Sequence, residues 1–84
     1  MAKAYVLIKT RVGEIDLVRA ELARNANITS ADPIIGPYDI IAVVEASDYN
    51  TIGSVVLRFV HELRGVENTV TCMVIESPTG AGHG

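Results

Sequence analysis

Tryptophan is absent from this chain, aromatic residues supply only 5% of it, and Cys72 is its single cysteine. With so few large rings, a close-packed core has to be assembled from Val, Ile, Leu and Ala. One cysteine excludes an intramolecular disulfide, which fits a reducing compartment. Positive charge is sparse as well: seven Lys and Arg stand against ten Asp and Glu, for a net charge of −3. The basic residues form no run or stripe. That argues against a chain that grips phosphate backbones itself, since such binding runs on clustered Lys and Arg. No apolar stretch approaches the ~20 residues that a membrane-crossing helix needs. The run over residues 5–8, following Met1-Ala2-Lys3, is too short for a secretory leader. The expectation is a cytoplasmic protein with no membrane contact and no direct nucleic-acid contact. No two of His61, Cys72 and His83 stand at metal-ligand spacing, and no Ser-His-Asp or Cys-His set is visible. Neither a metal, a cofactor nor a catalytic residue is predicted.

What is there is apolar and patterned. Hydrophobic residues make up 49% of the 84 residues and charged residues 20%, the composition of one small folded domain. Residues 4–9 predict a first strand, broken at Val12-Gly13. Ile15, Val18 and Leu22, with Leu17 widening the stripe, predict a helix over 14–24. Glu14 and Asp16 lie in its first turn and Arg24 in its last, as the helix dipole favours. After a stop at 25–27, residues 28–35 predict a second strand, and Pro33 within it points to a sheet edge. Gly36-Pro37-Tyr38-Asp39 reads as a tight turn into a third strand over 40–46, together a hairpin. Asp48 suits the N-cap of a second helix with the stripe Ile52, Val55, Val56, Phe59 and Leu63. Arg58, His61 and Arg64 gather toward its end, and Gly65 reads as its C-terminal cap. Residues 69–76 predict the last strand. Residues 77–84, S-P-T-G-A-G-H-G, read as a disordered tail, which leaves one domain over 1–76. The order β-α-β-β-α-β is the split-βαβ, ferredoxin-like α+β arrangement.

Alternation along the strands carries a further inference. Val6 and Ile8 oppose Tyr5 and Leu7, and Ile40, Ala42 and Val44 oppose Ile41 and Val43. In the last strand Val70, Cys72 and Val74 oppose Thr71, Met73 and Ile75. Both sheet faces are therefore apolar, while two helices of this pattern cover only one. Each large aliphatic side chain left wet forgoes ~1.5–3 kcal/mol relative to burial, and a contiguous apolar patch marks an interaction surface. A second copy packed sheet to sheet is predicted, a homodimer with the dimeric α/β barrel architecture. Mid-strand Cys72 reads as a small buried hydrophobe, and Glu62, Glu67 and Glu76 as solvated.

The hairpin over 35–44, I-G-P-Y-D-I-I-A-V-V, resembles the glycine-x-tyrosine-aspartate hairpin of the Lrp/AsnC C-terminal ligand-binding domain, also called the RAM domain. Gly65-Val66-Glu67-Asn68-Thr69-Val70-Thr71 is similar to that family's glycine-valine and threonine-x-threonine entry into its last strand, and residues 4–10 to its first. The resemblance covers about residues 3–76. It implies dimers with back-to-back sheets, assembly into a closed ring such as an octamer, and a free amino acid or related metabolite bound between dimers. With the first strand starting at residue 4, no helix-turn-helix is expected ahead of it. The chain resembles a stand-alone member, which senses its effector alone or modulates transcription by joining a full-length Lrp/AsnC regulator.

A free amino acid presents a carboxylate to donors and an ammonium to acceptors. The resemblance implies that Gly36 offers backbone groups, Asp39 holds the ammonium, Thr69 and Thr71 offer hydroxyls, and Tyr38 walls the pocket. Each residue also has a purely structural account. Gly36 suits a turn needing φ > 0, Asp39 can cap its own turn, and the threonines fill cross-strand pairs. Tyr38 can simply flank the turn. A second class of function, a small cofactor-free enzyme of the dimeric α/β barrel type, rests on fold analogy. It would need an apolar pocket inside the monomer, between helices and sheet.

Overall fold

Ala4, Val6 and Ile8 are closed to solvent while Tyr5 between them stands open, the period of two expected of a strand with one covered face. The computed structural model describes residues 1–75; Glu76 and the tail expected over 77–84 lie outside them. The elements are β1 (Ala2–Thr10), α1 (Ile15–Leu22), β2 (Ile28–Pro33), β3 (Ile40–Ala46), α2 (Tyr49–Val55), a π-helical turn (Val56–Val60) and β4 (Val66–Met73). The strands form one antiparallel sheet in the order β2-β3-β1-β4, which is the ferredoxin-like α+β fold. Pro33 closes β2 at the sheet edge, where its missing N–H removes no ladder bond.

Local chemistry fixes the element ends. Asp48 caps α2: the Thr51 N–H donates to its Oδ1 at 2.7 Å, and that bond holds the Asp48 carboxyl below its ordinary range. Asn25 Oδ1 accepts from the Asn27 N–H at 2.9 Å, and the Asn27 amide donates to the Glu45 carbonyl at 2.9 Å. Those bonds stop α1 and tie the turn to the end of β3. Both helices then close over one face. Val18 and Leu22 of α1 and Ile52 of α2 pack with Val6, Ile8 and Val44 of the sheet in a single core cluster. All six are completely buried, so the space between helices and sheet is filled.

Four sequence expectations change. Leu17 stands 43% exposed and lies outside the α1 stripe. The second helix becomes π-helical after Val55, with the His61 N–H donating to the Val56 carbonyl at 2.9 Å. This i→i+5 spacing widens the turn and brings Val60 to full burial, whereas a 3.6-residue stripe assigns that place to Phe59 and Leu63, which are half-buried. Gly65 is consequently no helix cap; it turns the chain into β4 with φ of +95°. Cys72 is exposed rather than buried, because β4 is an edge strand and Cys72 lies on its uncovered side opposite Tyr5.

The uncovered face carries two apolar cross-strand rows. Val43, Tyr5 and Cys72 form one, and Ile41, Leu7 and Val70 the other. Lys3 pairs with Glu45 beyond one row, and its ammonium sits 5.4 Å from the centre of the Tyr5 ring.

Candidate functional site

β1 finishes, the hairpin turns and β4 begins at one end of the sheet. Asp39 bolts the hairpin to β1 there. Its N–H donates to the Ile8 carbonyl at 2.9 Å, and its Oδ2 accepts from the Thr10 N–H at 2.9 Å and the Thr10 hydroxyl at 3.3 Å. Lys9 Nζ lies 3.7 Å from the same oxygen. The Thr10 N–H is the largest cause holding the Asp39 carboxyl below its ordinary value; desolvation opposes it and the Lys9 charge assists. Through Oδ2 the carboxylate holds the end of β1 instead of capping its own turn.

Opposite, the register between β1 and β4 shifts. Lys9 pairs with Asn68 and Thr10 with Val66, leaving Glu67 as the extra residue of a β-bulge. A bulge re-aims its side chain and bends its strand. Glu67 thus lines two adjoining hollows. One, of about 310 Å³, is formed by His61, Val66, Glu67, Asn68 and Thr69. The other, of about 270 Å³, has Lys9, Thr10, Arg11, Asp39 and Glu67 among its walls. In the first, His61 Nε2 lies 2.7 Å from Thr69 Oγ1. The end of the sheet therefore offers hydroxyl, amide and imidazole groups on one side of a carboxylate, and a carboxylate with a lysine and an arginine on the other.

Of the residues named from the sequence, Asp39 and Thr69 come to these adjoining hollows; Gly36, Tyr38 and Thr71 line neither. Gly36 is exposed, its φ lies outside the left-handed region, and a Cβ there would meet nothing within 4 Å. The turn-geometry account of that glycine therefore fails. Tyr38 is half-buried at the hairpin. Thr71 lies opposite Val6, on the same side of the sheet as Thr69 opposite Ile8. Sequence reasoning passed over His61 and Glu67. The bulge that aims Glu67 leaves no trace in periodicity, and His61 meets Thr69 only because the π-helical turn and the Gly65 turn fold the chain back.

A larger groove, about 650 Å³, runs between α1 and β2, where Arg19 Nε donates across it to the Ala31 carbonyl at 3.4 Å. Among the described residues no three His, Cys, Asp or Glu gather to hold a metal ion, and no helix is long and apolar enough to cross a membrane.

A family profile described as the Lrp/AsnC ligand binding domain matches residues 3–81. Among solved structures, TTHA0845 from Thermus thermophilus is similar at 28% identity and a TM-score of 0.87, over 92% of this chain and 96% of that one. AsnC of E. coli is similar at 18% identity and a TM-score of 0.84, over 92% of this chain and 52% of that one. The transcriptional regulator NMB0573 of Neisseria meningitidis, solved as an L-Met complex, is similar at 16% identity and a TM-score of 0.80, over 92% of this chain and 51% of that one. The chain spans about half the length of the last two, whose likeness is one of fold. No curated protein sequence matches it. That profile spans nearly the whole chain, and the chain belongs to the Lrp/AsnC ligand binding domain family.

Proposed function

We propose that this domain is a non-enzymatic sensor that binds a free amino acid, or a closely related metabolite, at the sheet end where β1, the hairpin and β4 meet. The observation that carries the reading is Glu67, bulged out between two hollows that each have polar side chains in their walls. An α-amino acid holds opposite charges a few ångströms apart. Glu67 and Asp39 supply acceptors for its ammonium, while Thr69 and Asn68 supply donors for its carboxylate. Thr71, two residues along β4 from Thr69, extends the row of hydroxyls. The L-Met complex of NMB0573 supports an amino-acid effector on this fold.

Gly36 and Tyr38 belong, in this reading, to the site of a neighbouring copy. The absent side chain at Gly36 clears room outside the chain, not inside it. The two apolar rows of the uncovered sheet face support a homodimer, since Leu7, Ile41 and Val43 remain partly open to water in one chain. The rim favours a second copy over an unrelated partner. Lys3, Lys9, Glu45 and Asp32 give it both signs of charge, as a self-complementary twofold contact requires. Contacts between hairpin tips would extend such dimers to a ring of the octameric kind. Effector occupancy would reach transcription in the cytoplasm through a full-length Lrp/AsnC regulator that joins the assembly.

Isothermal titration with each proteinogenic L-amino acid tests the reading. One amino acid, or a few of related side chain, should bind, and Glu67→Gln and Thr69→Val should weaken that binding. Gly36→Ala should fold as the wild type and still bind less well. Absence of heat with every amino acid overturns the proposal.

A further inference from the structure

His61 is held from two sides. Its N–H closes the π-helical turn onto the Val56 carbonyl at 2.9 Å, and its ring Nε2 lies 2.7 Å from Thr69 Oγ1. The ring is exposed and lines the same hollow as Asn68 and Glu67. π-Helical turns recur at functional sites, and this one leaves the imidazole over the start of β4.

A threonine hydroxyl has one proton to donate. Against a neutral ring that presents a bare Nε2, that proton is spent on the ring, and Thr69 offers the hollow only lone pairs. Against an imidazolium the roles reverse. Nε2 donates, Oγ1 accepts, and the hydroxyl proton is free to point into the hollow beside a full positive charge. The charged pair suits a carboxylate.

Resting on the effector reading above, we infer that His61 and Thr69 form the subsite for the effector's carboxylate, and that His61 makes its occupation proton-linked. Histidine is the side chain whose ordinary charge change falls between about pH 5 and 8. An anion bound beside the ring favours its charged form, and by reciprocity the charged form favours the anion. Affinity for a free amino acid therefore rises as the ring takes up its proton. The charged groups around the ring are Glu67 of β4 in the same hollow, Arg58 one turn earlier, and Glu62 and Arg64 in the turn that follows. β1 presents Ile8, paired with Thr69. Glu67 is the competing anion for an imidazolium, so the pH response must survive its neutralisation.

The experiment is isothermal titration of each proteinogenic L-amino acid and its α-carboxamide at about pH 5.5 and about pH 8, with far-UV circular dichroism to confirm folding of each variant. The wild type should bind the free acid about fivefold more tightly at the lower pH, the worth of one partly solvated charge-assisted bond. The carboxamide, whose own α-amino group is partly uncharged at the higher pH, should gain only about twofold. His61→Gln keeps a donor for Thr69 without the charge and should bind equally at both pH values. Glu67→Gln should bind more weakly at both yet keep the ratio. If the gain persists in His61→Gln, vanishes in Glu67→Gln, or appears equally with the carboxamide, the subsite is refuted and the effector reading stands. If no amino acid binds the wild type at either pH, both fall.

Discussion

Gly65 and Gly36 both sit in turns, and composition treats them alike, but their surroundings differ. Gly65 has φ of +95°, and a Cβ built on it would lie 2.6 Å from Glu14 Oε1 and 3.0 Å from Val18 Cγ2. The Glu14 carboxylate is the end of a flexible side chain and can swing away. Val18 is completely buried in the α1 stripe and has nowhere to go. A side chain held at positive φ costs roughly 1–2 kcal/mol, and displacing a packed valine adds roughly 1 kcal/mol. The Gly65 carbonyl also accepts from the Arg11 N–H at 2.8 Å, so any shift of this turn loosens the end of β1. Gly65→Ala should therefore lose about 2–3 kcal/mol from a native stability on the order of 5–15 kcal/mol. At roughly 4–8 °C per kcal/mol for a domain of this size, the melting temperature should fall on the order of 10–20 °C. Gly36→Ala should be neutral or gain a few tenths of a kcal/mol, since nothing lies within 4 Å of its Cβ and its φ is ordinary. Guanidinium unfolding at one fixed protein concentration measures both, because association contributes to apparent stability. The reasoning is refuted if Gly65→Ala unfolds at the wild-type midpoint. It is also refuted if Glu14→Ala restores the double variant completely, which would place the whole cost in the carboxylate contact and none in the backbone.

Three further outcomes follow from the same geometry. Val60→Ala should cost about 2 kcal/mol by emptying a fully buried site, and Leu57→Ala less than about 0.5 kcal/mol at 62% exposure; the reverse order in thermal melts would take Val60 out of the core. Thr10 and Lys9 hold the folded Asp39 carboxyl below its ordinary 3.8, so the unfolded chain binds the proton first as pH falls. The stability this group contributes is full above the unfolded value and is lost as pH drops through the lowered folded value. The advantage of wild type over Asp39→Asn in denaturation midpoint should therefore be full at about pH 6 and shrink as pH falls below about 4; a constant difference would remove the clamp. Leu7→Lys places a charge at the centre of the uncovered face and should shift light scattering at micromolar concentration from dimer to monomer, with Cys72 then reacting faster with a thiol reagent. Unchanged mass and unchanged thiol rate would exclude this face as the contact.

The fold was legible because its determinants are local and periodic. The alternation at 4–9 and 40–46, the pair Val18 and Leu22 one turn apart, and the capping carboxylate of Asp48 each act within a few residues. The departures arise where an element slips its period. A π-helical turn moves one residue per turn out of a 3.6-residue stripe, so Phe59 and Leu63 yield the core to Val60. Cys72 was read as buried from its mid-strand place among apolar neighbours, and alternation alone does not say which face the helices cover. Only the strand order reveals β4 as an edge.

The site resisted reading for a deeper reason: its groups are brought together by one bulge and two turns, none of which has a sequence period. Asp39 and Thr69 were named because their motifs carry a family likeness, and their hydrogen-bond partners, Thr10 and His61, lie 29 and 8 residues away. β4 makes the arrangement consequential. On one side it presents Val70 and Cys72 to the apolar rows that a second copy would cover, and on the other Thr69 to His61. Successive strand residues point to opposite faces, so a one-residue slip would exchange Thr69 with Val70 and cost both surfaces at once. The bulge at Glu67 takes up the register change just before that stretch. The strand can thus keep Val70 flush with Leu7 in the apolar row while Glu67 turns out between the hollows, and whatever presses on the sheet face fixes the position of the hydroxyl on the other side.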